Sequence, residues 1–377
     1  MANQISEQVS ANEFPVANVR GKPIFKSSSL RGRNAGDQVF FWGLRAVSWS
    51  TIALFAGMLI FIGSLAWQSV KLHGFKFWLG DDWNPPMEIF GAAPFLVGTL
   101  ASSAIAVLIS APISVGTALF LREIAPKRVA SVVAFLVELL AAIPSVVYGL
   151  WGVFVLAPIM RDTIHPGLAR WFGPGTYFAA ALGHTLTAIA YPFLLVLDAL
   201  GMTQVTLVSL SAQMMSFSHG LFDGPPLGLG LLTSGLVLSI MITPTVTALS
   251  REVLLTVPDS VREAALGLGA TRWEMIRLAL VKTARSGLIG AIILGLGRAI
   301  GETMAVTMVI GNRNAIPKSL FEPAQTMASV IANEYNESDG MHLSSLAFVG
   351  LSLFAVSLVI NMLARSLIRY LNRGSCA

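Results

Sequence analysis

Ser260-Val-Arg-Glu-Ala-Ala-Leu-Gly-Leu-Gly-Ala-Thr-Arg-Trp-Glu274 is the polar interruption around which this sequence is organised. Ser260-x-x-Glu263 and Thr271-x-x-Glu274 each have the pattern of a capping box, in which a hydroxyl and a carboxylate satisfy free amides at a helix start. Gly267 and Gly269 stand between them and can end a helix by taking positive φ. The spacing predicts two short helices joined by a tight glycine turn. Val261, Ala264, Ala265 and Leu268 recur at i, i+3, i+4 and i+7, giving the first helix a small apolar face, with Arg262 and Glu263 off it. An ordinary connector needs only the caps. A face of small residues also lets a partner dock closely.

The flanking sequence is of another kind. Gly228–Leu249 and Gly287–Ile310 are apolar runs long enough to cross a bilayer, which takes roughly 20 residues in a helix that satisfies its own backbone. Four more such runs occur, so six spans are expected at about 45–70, 92–121, 129–160, 228–249, 287–310 and 343–368. The third contains Glu138. The chain is 54% hydrophobic and 12% charged, with a mean hydropathy of +0.71. Soluble domains carry about 25% charged residues. The expected fold class is therefore an all-α integral membrane bundle.

Composition also excludes several functions. Cys376 is the one cysteine and the five histidines are dispersed, so no metal site is expected. No G-x-x-x-x-G-K-[ST] sequence is present, and the chain is not expected to bind ATP or any other cofactor itself. A pI near 9.6 invites a nucleic-acid reading, but the basic residues follow a membrane topology. Eighteen of the 25 lysines and arginines lie in residues 1–45, the loops at 122–128 and 250–285, and the tail from 365 onward. Six lie on the alternate side, and Arg298 is inside a span. Positive residues favour the cytoplasm, so both termini and the 250–285 loop are expected inside a plasma (inner) membrane. Residues 1–44 read as a polar cytoplasmic tail with no cleavable signal, and 371–377 as a C-terminal tail. Residues 161–226 form an enlarged segment. It reads either as a helical hairpin or as an extracytoplasmic or re-entrant insertion, and His184, Pro192 and Asp198 favour the insertion.

Intramembrane charge marks the candidate pathway. Arg298 and Glu302 lie at i, i+4 in Gly295-Leu-Gly-Arg-Ala-Ile-Gly-Glu302, with Gly297 and Gly301 forming a GxxxG step. Charges in a bilayer core face a cavity or a partner. Either Arg298 pairs with Glu302 or Glu138 and pins the bundle, or it offers a guanidinium to an anion, whose oxygens match that geometry.

Glu263-Ala-Ala265 followed by Gly269 resembles the EAA-x-x-x-G motif of binding-protein-dependent ABC importer permeases. The resemblance implies a six-helix permease bundle whose coupling loop, with Glu263, Ala264, Ala265, Gly269, Thr271 and Glu274, enters an ATPase subunit. The chain departs from the family pattern at Lys282, where a proline is usual. Gly295–Asn312, Glu138–Gly149 and Ile331–Glu334 are similar to the phosphate-transport permeases of that family, and the likeness covers most of 90–365. It implies a phosphate pathway through Arg298, Glu302 and Glu138. The implied partners are a homologous second permease in a heterodimer, a dimer of ATPase subunits carrying ATP and Mg, and an extracytoplasmic phosphate-binding protein docking on Lys71–Gly91 and Asn312–His342. Membrane lipid is the remaining contact. Another oxyanion, or an ion-coupled carrier using Glu138, Asp198 or Glu302, stands as the alternative; no His, Asp or Cys cluster supports an enzyme.

Overall fold

The computed structural model describes residues 35–172 and 221–373. Most of the expected N-terminal tail, the interior of the 161–226 segment and the last residues lie outside that range. Two compact units divide the chain, 1–58 and 59–377.

Helix α1 is Ala35–His73. From 38 to 58 its side chains are exposed, although they include Phe40, Trp42, Trp49, Ile52 and Phe61 further on. A helix apolar all round and uncovered is one that lipid solvates. The Arg45 guanidinium lies 5.3 Å from the Phe41 ring and 5.6 Å from Trp42. Lys71 lies 5.1 Å from Trp67. Cation–aromatic clusters of this kind suit the headgroup zones.

Within 59–373, helices α2 (Ala93–Ile124) and α5 (Leu231–Leu255) form a central pair, against which α3 (Lys127–Ala141), α4 (Ser145–Trp171) and α7 (Arg272–Ile300) pack. The short α6 (Asp259–Gly267) precedes α7. After α7 come α8 (Met304–Val309), α9 (Met327–Glu334) and α10 (Gly340–Arg373). Among the described residues, six helices are long and apolar enough to cross a membrane: α1, α2, α4, α5, α7 and α10. Buried Ser102, Ser103, Ser110 and Ser114 on α2, with Ser234 and Ser239 on α5, keep the central contact narrow. The Ser114 hydroxyl donates to the Thr243 carbonyl at 3.1 Å.

The stretch 129–160, expected as one span, is divided. Proline disfavours the helical region in the residue before it and removes an N–H, so α3 ends at Ala141 and α4 starts after Pro144. The two pieces keep different neighbours: α3 lies on α5, while α4 packs mainly on α8. The core joining α4, α5 and α8 contains Leu156, Met160, Leu238, Met241, Ile242, Val306 and Val309.

A second core lies where α2 and α10 begin. A two-stranded hairpin, β1 (Trp83–Asn84) and β2 (Ile89–Phe90), pairs Trp83 with Phe90. Phe77, Phe95, Met327 and Phe348 fill the space around it, with Phe77 and Phe348 stacked at 4.3 Å. Ser69 near the end of α1 bonds across to α10, its N–H donating to Ser344 Oγ at 3.0 Å and its hydroxyl meeting that of Ser345 at 3.1 Å.

Gly98 sets how closely α2 approaches the chain before α9. A Cβ there would collide with the Gln325 carbonyl, one step from the hydrogen bond that Met327 N–H gives Thr99 Oγ1 at 2.9 Å. Gly98→Ala is expected to destabilise the fold by about 1–3 kcal/mol, the usual cost of overpacking. A lowered thermal midpoint of the detergent-purified protein would record it. An unchanged midpoint would show that residues 325–327 move aside.

Candidate functional site

The 250–285 segment is a helix and a turn leading straight into a long helix. Pro258, extended at φ −60°, occupies the N-cap of α6, and no side chain caps the helix. Ser260 is therefore the second helical residue, and the capping box expected from Ser260 to Glu263 does not form. Pro258 presets the entry to the helix. At the other end Gly269 adopts φ +85°. Its N–H donates to Leu266 at 3.0 Å, and Ala270 N–H donates to Ala265 at 3.1 Å. That pair of bonds is the Schellman closure, which needs a left-handed residue at this one position. Gly267 is the last residue of α6 and does not turn the chain.

The second box is present. Glu274 N–H donates to Thr271 Oγ1 at 3.3 Å, and Thr271 N–H donates to Glu274 Oε2 at 2.8 Å. What it starts is α7 itself, running through wide turns at Met275–Leu280 to Ile300. The second short helix of the sequence reading is thus the first turn of a spanning helix.

The apolar face of α6 is divided between two tasks. Val261 packs inward on the core of Ala118, Leu254, Leu280, Ala284 and Leu288. Leu268 is 90% exposed and Trp273 is 68% exposed, and Glu263, Ala264 and Gly269 are exposed beside them, with Ala265 half-buried. Trp273 is a surface residue that helical periodicity does not single out. Its signal was its place inside a capping box, where an aromatic side chain at the second helical position points away from the helix it starts.

Arg298 lies on an exposed face of α7 with Gly297. Its Nη1 donates to Thr245 Oγ1 at 3.0 Å, and Thr245 is near the middle of α5. Among the described residues no carboxylate is in ion-pair range of it. The pairing with Glu302 suggested by their i, i+4 spacing does not occur. Helix α7 stops at Ile300 and Gly301 caps it, so Glu302 is off the helix. Its Oε1 instead accepts from Ala305 N–H at 3.3 Å, at the start of α8. Glu138 is elsewhere. It is exposed on α3 and shares a cavity of about 480 Å³ with Arg122, Lys127 and Arg251. Arg298 and Glu302 are thus grouped at the break between α7 and α8, and Glu138 is not grouped with them by any ion pair.

The segments 71–91 and 312–342 meet at one carboxylate. Glu334 accepts from Trp83 Nε1 at 2.8 Å, contacts His342 Nε2 at 2.9 Å and accepts from Asn314 Nδ2 at 3.4 Å. The His342 ring lies parallel to Phe90 at 5.9 Å.

Known proteins share this arrangement of sequence. The family model described as "Binding-protein-dependent transport system inner membrane component" matches residues 109–375. The phosphate transport system permease protein PstC of Mesorhizobium japonicum is 38% identical over 341 residues, covering 90% of this chain and 92% of its own. That of Pasteurella multocida is 41% identical, covering 80% and 82%. The inward-facing MetNI methionine ABC transporter aligns with a TM-score of 0.46 at 14% identity, over 77% of this chain and 99% of that one. The matched region takes in α3 to α10, and with them the exposed loop and the broken helix that carries Arg298. With six candidate spans around that loop, this chain belongs to the family of binding-protein-dependent transport system inner membrane components.

Proposed function

We propose that the chain is the membrane-spanning permease subunit of an ATP-driven phosphate importer and forms half of its translocation pathway. The observation that carries this reading is Arg298, an exposed guanidinium in the last turn of α7, held by Thr245 near the middle of α5, with no carboxylate in ion-pair range among the described residues. A lone charge facing lipid is costly, so this face borders water or a second subunit. A planar guanidinium suits the oxygens of a phosphate, and Glu302 keeps the neighbouring break in the helix closed by capping α8. The high identity to phosphate transport system permeases supports phosphate as the anion.

In this reading the chain is a transport subunit and hydrolyses nothing. ATP and Mg act on a dimer of ATPase subunits that receives the surface of Glu263, Ala264, Ala265, Leu268, Gly269 and Trp273. That loop and both termini lie in the cytoplasm in this reading, which the charge bias supports. A homologous second permease completes the pathway. A phosphate-binding protein on the opposite face docks on the region organised by Glu334. Closure of the ATPase dimer moves the loop, and the helices pass from inward- to outward-facing.

Uptake of labelled phosphate by proteoliposomes containing the assembled transporter tests this. ATP-dependent uptake that unlabelled phosphate competes away, and sulfate, molybdate and phosphonate do not, is the expected result. Uptake without any ATPase subunit would sink the importer reading in favour of an ion-coupled carrier. Preference for sulfate or molybdate would assign another oxyanion.

A further inference from the structure

The carboxylate of Glu123 is 2% exposed and lies between two arginines, 3.4 Å from Arg262 Nε and 3.8 Å from Arg122 Nε. It sits in the wide helical turn Phe120–Ile124 that ends α2. Arg262 belongs to α6, the exposed docking helix. A second link runs beside the first: Arg122 Nη2 donates to Asp259 Oδ1 at 3.2 Å. Asp259 and Arg262 are three apart and share one side of α6; Arg122 and Glu123 are adjacent at the end of α2. Two pairs of opposite sign therefore join the same two elements, while Val261 adds an apolar contact to the core beneath.

The two links differ. Asp259 has a side chain 71% exposed, where water screens most of the attraction. Glu123 is enclosed. A buried carboxylate is tolerated only while its partners stay in place, so displacing Arg262 removes the nearer of its two arginines and leaves the charge to Arg122 at 3.8 Å. The penalty opposes any movement of α6 that α2 does not follow. Helix α2 then extends the connection across the bundle, through its contact with α5 and the bond between Thr99 and Met327 at its far end.

We propose that Glu123 is the positioning residue that makes α2 move with the docking helix, so that ATPase closure is converted into rearrangement of the spans. This rests on the reading that α6 docks on an ATPase. Loosening the clamp leaves ATP hydrolysis running while fewer anions cross per ATP. A residue that merely stabilised the fold would lower both together.

The test is a double-mutant cycle on the complete transporter in proteoliposomes, with Glu123→Gln, Arg262→Gln and the pair combined. Phosphate imported per ATP hydrolysed is measured, together with the ATPase that co-purifies. Each single variant is expected to keep its ATPase and to lower the ratio at least about fivefold, the low end of measured couplings between sites. The double variant is expected to be no worse than either single. An unchanged ratio in the singles, or losses that multiply in the double, would overturn the proposal. Should Glu123→Gln fail to assemble, Arg262→Gln and Asp259→Asn alter the exposed partners alone, and a wild-type ratio in both rejects the clamp. Wild-type vesicles that import phosphate without ATP would overturn the docking reading and this proposal with it.

Discussion

Arg298→Ala is expected to lower phosphate uptake by at least about 100-fold while the transporter still assembles. A charge-assisted hydrogen bond contributes about 1.5–3 kcal/mol, so losing two to a passing anion costs roughly 3–6 kcal/mol, which exceeds a factor of 100 in rate. Little opposes the substitution structurally. Arg298 is exposed, and among the described residues its hydrogen bond to Thr245 is the one that alanine removes. Arg298→Lys keeps the charge and loses the planar fork, and is expected to fall between the two. Uptake is read alongside co-purification of the ATPase subunits. A variant that fails to assemble would show instead that Arg298 pins the bundle. A variant that assembles and transports normally would remove it from the pathway.

Gly269→Val carries the second large effect. The residue holds φ +85° with no other atom of the chain within 4 Å of where its Cβ would stand. Valine therefore meets no clash within the chain. Its cost is conformational, about 1–2 kcal/mol for an L-residue in the left-handed region, and more for a branched side chain. Escaping that strain breaks the closure formed by Gly269 and Ala270 and re-aims the exposed Leu268. If it is not escaped, the added methyls project into the space the partner must fill. Either way, ATPase retained on purification and ATP-dependent uptake are both expected to fall at least about tenfold, as a loss of 1.4 kcal/mol or more requires. Gly267→Ala is the control. It lies within α6, with open space around it and no positive φ, so alanine should leave assembly intact. Wild-type retention of the ATPase by Gly269→Val would exclude the turn from the interface.

These two residues differ in how far the sequence exposed them. Gly269 was legible because its requirement is local: a helix pattern ends and a second capping signal begins three residues later. Thr271 and Glu274 were legible for the same reason. Ser260 misled because its motif competes with Pro258, which claims the N-cap first and shifts the helix start by two residues. Arg298 stood out as a charge among apolar residues, but its i, i+4 relation to Glu302 held only if the helix continued. Gly301 ends it. The division of 129–160 at Pro144 was visible as a proline, though its neighbours were not. Glu123 gave no signal at all. Its role depends on Arg262, far along the chain, and only the packing of α2 beside α6 brings them together. Periodicity finds spans and caps; it does not find partners.

The Glu334 junction bears on how the chain is made. Trp83 and the carboxylate it donates to are 251 residues apart, and Ser69 and the hydroxyl it bonds on α10 are 275 apart. Synthesis at about 5–20 residues per second puts roughly 12–50 s between them. For that interval α1 and the hairpin can close on each other and on Phe95 of α2, but the Trp83 indole N–H waits without Glu334, and Ser69 waits without α10. Helix α1 is thus secured in full only after a much later part of the chain is made, and nascent chains halted before Glu334 should hold it more loosely than the finished protein, open to an insertase or a protease.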